Sequence, residues 1–217
     1  MAAEFLPFLP GAIGLLALSL LPMFVVMATS FTKISIVLFL LRNALGVQQA
    51  PSGMVLNAIA LTLTLFICAP IGHEIAAKLQ AAEARFSDME SALKSYKIIS
   101  DGFVSHMKKF TTDREAEFFV QAAESLWPAE MKRYISKDNL IILLPAHTTS
   151  EITRAFEIAF LLFLPFVVVD MVVSNILLAM GAMMVPPMLI SLPVKLLLFV
   201  AADGWSRLLH ALIMSYA

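Results

Sequence analysis

Residues 180–193 read MGAMMVPPMLISLP and interrupt a 45-residue run, Ile158 to Ala202, that carries only two charges, Asp170 and Lys195. Without the interruption this run would read as one long apolar helix. Gly181 weakens a helix, and Pro186 and Pro187 cannot lie inside one without losing backbone hydrogen bonds, so the chain must break here. In lipid a broken backbone leaves polar groups unsatisfied, which is tolerated only against protein or a water-filled cavity. The second half of the chain therefore reads as a helical hairpin whose tip carries Met180, Met183, Met184 and Met188. Flexible, polarizable methionines fill irregular gaps and would suit a seal around a passage. The plainer reading is a lipid-facing hairpin tip with incidental methionines.

The two charges bear on the same choice. A lone charge at mid-membrane costs at least ~2.5 kcal/mol, so Asp170 and Lys195 are expected to face protein or water and to pair. A fold-back around residues 183 and 184 brings Asp170 opposite residues 196–198, within about a turn of Lys195. A structural salt bridge is the first reading and a proton or ion relay the second. A relay usually needs further titratable groups, and the polar neighbours here are only Ser174, Asn175 and Ser191.

The whole chain is 60% hydrophobic and 14% charged over 217 residues, with a mean hydropathy of +0.87. That is more apolar surface than a soluble domain normally hides, and it indicates a membrane-associated protein. A formal charge of -1 leaves no basic excess for nucleic acid. Cys68 is the single cysteine, so no disulfide can form within one chain. Residues 73–157 hold 24 of the 31 charged side chains, 13 acidic and 11 basic. The expected division is an N-terminal hydrophobic block (1–72), a polar helical insert (73–147) and a C-terminal hydrophobic hairpin (148–217).

Apolar stretches at Gly11 to Ala28 with Ile34 to Leu41, Met54 to Ile71, Ile158 to Met180 and Val185 to Ala202 give four hydrophobic helices. The N-terminus lacks a positively charged n-region, and we read it as retained helix rather than a signal peptide. Lys33 and Arg42 flank the link between the first two hydrophobic segments, which places that link on the cytoplasmic side and the insert and termini outside.

The insert is helical by pattern. Ile75, Leu79, Ala82, Phe86, Met89, Leu93 and Tyr96 form a stripe that predicts one helix over about 73–97, packing within its own domain or offering a partner groove. Thr112 with Glu115, and Thr148 with Glu151, have capping-box spacing, and Pro128 ends the pattern that the first pair opens. The fold class is all-α. No phosphate loop, nucleophile elbow or zinc spacing occurs, so no enzyme, cofactor or metal site is expected. His73, His106, His147 and His210 stand isolated in the sequence and read as surface or packed histidines.

Three long stretches carry a resemblance: TSFTKISIVLFLLRNALGVQQAPSGMVLNAIALTLT, LPAHTTSEITRAFEIAFLLFLPFVVVDMVVSNILLAMG and MVPPMLISLPVKLLLFVAADGW. In this order the chain resembles the FliP/SctR family, the core export-gate subunits of bacterial type III secretion systems, and is more similar to the virulence injectisome branch than to the flagellar one. The resemblance implies an inner-membrane, multi-pass subunit whose assembled complex lies largely on the periplasmic side. It implies several copies, five by expectation, closing with S-type and T-type companion subunits into a helical pore for unfolded polypeptides. Apolar helices would then be buried against neighbouring subunits rather than only against lipid.

The same resemblance implies that the methionine-rich loop seals the closed pore. Met183 and Met184 map onto the gasket, and Met180 and Met188 are further candidates. Ala182 stands where the family pattern has methionine, His147 where an aromatic is expected, and Val194, Ala201 and Ala202 where bulkier residues are usual. The alternative function is a small-solute or ion transporter with a broken-helix binding site. Methionines can also hold Cu(I), but no second Met cluster or Cys/His set completes such a site.

Overall fold

A computed structural model describes residues 19–20, 22–47, 49–82, 89–182 and 184–217. The readings made of residues 1–18, of Phe86, of Met183 and of the Met89 side chain lie outside the described residues. The described chain is all-α: α1 (Pro22–Ala28), α2 (Phe31–Leu45), α3 (Gly53–Ala81), α4 (Met89–Phe110), α5 (Asp113–Leu126), a 3-10 turn at Lys132–Tyr134, α6 (Leu140–Ala179), α7 (Pro187–Ala201) and α8 (Gly204–Met214).

Helix α2 is the axis of the core. Ile34, Val37, Leu38, Leu41 and Leu45 recur at helical spacing and are all buried, packed with Leu56 and Ala60 of α3, Ala155 and Phe166 of α6, Phe199 of α7 and Leu208 and Leu212 of α8. A smaller cluster joins Ala28 of α1, Met107 of α4 and Leu143 of α6. Each buried Leu or Ile side chain stabilises by about 1.5–3 kcal/mol, so the α2 seam alone outweighs any single polar contact described below.

Outside these clusters much of the apolar surface is uncovered. Helices α3 and α6 are each long and apolar enough to cross a bilayer, yet only 17% of the most apolar window of each is buried. Two bent pairs meet the same test, α1 with α2 (78° bend) and α7 with α8 (61° bend), giving two to four spans by length and composition. This is the architecture of a membrane protein.

Three expectations change. The stripe over 73–97 does not lie on one helix. The helix carrying Ile75 ends at Ala81 and the chain folds back, so that Gly102 of α4 lies against Ile75. A Cβ at position 102 would come within 2.6 Å of the Ile75 side chain, and only glycine lets the two helices approach this closely. Ile75 and Leu79 therefore pack while Leu93 and Tyr96 face outward. Periodicity alone continued the pattern across a turn that it cannot detect.

The second change concerns caps. Helix α5 begins after Thr112 and ends at Leu126, before Trp127 and Pro128, but the Thr112 hydroxyl makes no capping bond and lies 3.2 Å from Ser150 Oγ instead. Third, Thr148 and Glu151 do not start a helix. Helix α6 begins earlier, where Asn139 accepts a hydrogen bond from the Ile141 N–H at 2.9 Å, and runs for 40 residues through Pro145 and Pro165. The compositional borders at 72/73 and 147/148 thus fall inside continuous helices.

Candidate functional site

The α6–α7 turn is built by the backbone. Gly181 takes φ +74, the left-handed conformation that glycine adopts without Cβ strain. The Ala182 N–H donates to the Leu177 carbonyl at 2.9 Å and the Gly181 N–H to the Leu178 carbonyl at 3.1 Å, the paired bonds of a Schellman C-cap. The Val185 N–H then donates to the Ala182 carbonyl at 3.1 Å. Pro186 is the N-cap of α7 and Pro187 its first residue, where a missing N–H costs nothing. Glycine and the prolines thus sit where they terminate one helix and start the next.

Met180, Met184 and Met188 do not share one helix face. Met180 caps α6, Met184 lies in the turn and Met188 in the first turn of α7, and all three are exposed, Met184 at 97%. None is used by the core of this chain.

Below the turn, Lys195 Nζ lies 2.6 Å from Asp170 Oδ2 and donates to the Ala44 carbonyl at 3.3 Å. The lysine side chain is 8% exposed and the aspartate 45%. This bridge ties α6 to α7 and, through Ala44, both to the end of α2.

A second charged group was not anticipated. Glu151 is fully buried in α6; its Oε1 lies 3.7 Å from the buried Lys33 Nζ and 3.9 Å from Arg154 Nη1, and its Oε2 accepts from the Tyr216 hydroxyl. Lys33 Nζ sits 3.6 Å from the centroid of the Tyr216 ring, a cation–π arrangement. Burial, and then the charge on Glu151, push the Tyr216 phenol up from its ordinary value.

Tyr216 packs edge-on against Phe110, which packs against His106, and His106 lies 6.3 Å from the fully buried His147. Thr111 Oγ1 is 3.5 Å from His147 Nδ1, and the Thr112 N–H donates to Ser150 Oγ at 3.1 Å. Burial, and second the nearby Lys109 cation, hold the His106 imidazole down at about 4. The network links α2, α4, α6 and the segment after α8.

The sequence holds a signal for this network, since Lys33 and Glu151 border apolar runs, but pattern alone makes Lys33 a topology-setting cation and Glu151 a capping residue. With Lys33 buried against Glu151, the positive-inside orientation rests on Arg42 alone. No group of three or more His, Cys, Asp or Glu able to hold a metal gathers among the described residues.

Comparison with known proteins gives a consistent picture. Residues 15–212 match the FliP family. The chain is 50% identical over 212 residues to the Yop proteins translocation protein R of Yersinia pestis, covering 96% of this chain and 98% of that protein. It is 44% identical to virulence protein YscR of Salmonella typhimurium, covering 94% and 95% of the two chains. It is 42% identical to harpin secretion protein HrcR of Erwinia amylovora, covering 94% of each.

Proposed function

This chain belongs to the FliP family, and we propose that it is a core subunit of the type III secretion export gate, with the α6–α7 turn as the seal of its closed channel. At the coarser level the assignment to a secretion apparatus follows from near full-length relatives named for translocation and secretion. The finer reading has several copies, five by expectation, closing with S-type and T-type subunits around a passage for unfolded polypeptides. The assembly sits in the bacterial inner membrane with its body on the periplasmic side.

The observation that carries this reading is the turn itself. Met180, Met184 and Met188 are presented on a turn fixed by backbone bonds, exposed and outside the core of the chain that bears them. Side chains that a subunit does not need for itself are available to an assembly. The largely uncovered α3 and α6 surfaces supply apolar area for subunit packing of the kind that obligate interfaces bury.

The experiment is Met183→Ala with Met184→Ala in the complete gate, read as ion or small-dye leakage across the inner membrane. Leakage with normal assembly is expected, with Leu at the same positions restoring much of the seal. A copper role predicts instead that Leu and Ala are equally damaging in a Cu(I)-binding assay. An Ala variant that assembles, secretes and stays ion-tight removes the gasket assignment.

A further inference from the structure

Between α6, α7 and α8 runs an apolar cleft of about 650 Å³, walled by α6 from Ile158 to Val169 and by α7 and α8 from Leu198 to Ala211. Arg207 is its only charged lining residue. The Arg207 guanidinium is exposed and has no hydrogen-bond or ion-pair partner among the described residues, whereas Asp170 of α6 and Lys195 of α7 pair with each other.

The position of that cation follows from the helix geometry. Phe199 meets Phe166 and Tyr216 meets Glu151, so α6 runs antiparallel to the α7–α8 segment and Arg207 comes level with the Ile158 end of the slot. From Ile158 to Val169 the slot is about 16 Å long by helix rise. It is thus a long apolar channel with one unpartnered cation near one end.

We propose that this cleft binds one anionic phospholipid, with an acyl chain along the slot and the phosphate on Arg207. Each half of the shape has its counterpart in that molecule. The chain removes apolar walls from water, and the exposed Arg207 guanidinium can bind phosphate oxygens through two parallel N–H···O bonds. A neighbouring protein helix would fill the slot as well, but it would leave the exposed Arg207 guanidinium to water unless it brought an acidic side chain. The assignment stands apart from the gasket reading, because it uses neither the methionine turn nor the pore.

Native mass spectrometry of the full chain in detergent tests it with three probes: dioleoyl phosphatidylglycerol, dioleoylglycerol with the same chains and no phosphate, and glycerol phosphate with no chains. One phosphatidylglycerol should be retained per chain, and neither fragment should match it. Arg207→Gln should weaken retention at least about tenfold, the scale of one charge-assisted contact, while Arg207→Lys keeps part of it. Ala211→Phe should fill the slot and abolish retention.

Location is checked by fluorescence. Trp205 packs on Phe199, a lining residue, at 5.4 Å between ring centroids. In a Trp127→Phe chain, phosphatidylglycerol with brominated chains should quench Trp205 saturably, and Arg207→Gln should shift the saturation point upward by the same factor. Unchanged thermal unfolding of Arg207→Gln without lipid shows that the variant is folded. Equal retention by Arg207→Gln and wild type, equal retention of dioleoylglycerol, or a cleft covered by another protein chain with no lipid retained would each overturn the proposal.

Discussion

Glu151 and Asp170 stand on the same helix, α6, and each meets a lysine from another helix. Glu151 and Lys33 are both sealed from solvent and lie 3.7 Å apart, supplemented by a phenol and an aromatic face. Asp170 and Lys195 are closer, at 2.6 Å, but the aspartate is almost half exposed. The shorter bridge is not thereby the stronger contributor. For a sealed pair the decisive quantity is what remains when one partner is removed, and a half-exposed carboxylate keeps much of its hydration whether or not its lysine is there.

The largest expected effect is at the sealed pair. Glu151→Leu alone should cost about 3–5 kcal/mol, because it strands the Lys33 ammonium in the core, whereas Lys33→Met with Glu151→Leu should be markedly milder. Chemical unfolding in detergent measures both, and a double variant no better than the worse single one breaks the contrast.

Next comes pH. His106 is held at about 4 against an ordinary 6.5, so the unfolded chain binds more protons between those values and stability must fall as pH falls. The contribution is complete above pH 6.5 and is lost toward pH 4, on the order of 3 kcal/mol in all. His106→Phe, which keeps an aromatic ring against Phe110, should flatten that part of the stability profile.

The outer bridge should respond asymmetrically. Asp170→Asn leaves the buried Lys195 with weakened partners and should cost about 1–3 kcal/mol, while Lys195→Met leaves a carboxylate that water can reach and should cost about 1 kcal/mol or less. Equal costs would mean that Asp170 is covered in the assembled protein. The smallest effect is on the turn, where Met180→Ala and Met188→Ala should change subunit stability by no more than about 0.5 kcal/mol, since both side chains are exposed.

These contrasts also show what the sequence could and could not reveal. The break at residues 180–187 was legible because glycine and proline act on their own backbone, so local chemistry determined local structure. The helical class and the apolar helices were legible from composition and period. The α3–α4 reversal was not, because the stripe from Ile75 to Tyr96 keeps its period through the fold-back and the decisive contact, Gly102 against Ile75, is tertiary. The Lys33–Glu151–Tyr216 group was missed for a related reason. Its members lie 118 and 65 residues apart in the chain, and only the packing of α2 and of the segment after α8 against α6 brings them together.

The Schellman cap at Gly181 makes the α6–α7 turn a natural place for chemical probes. Its course is set by three backbone hydrogen bonds, one left-handed glycine and a proline pair, none of which involves a methionine side chain. A photo-crosslinking amino acid or a spin label at position 184 should therefore report on whatever faces the turn while leaving the scaffold beneath it in place.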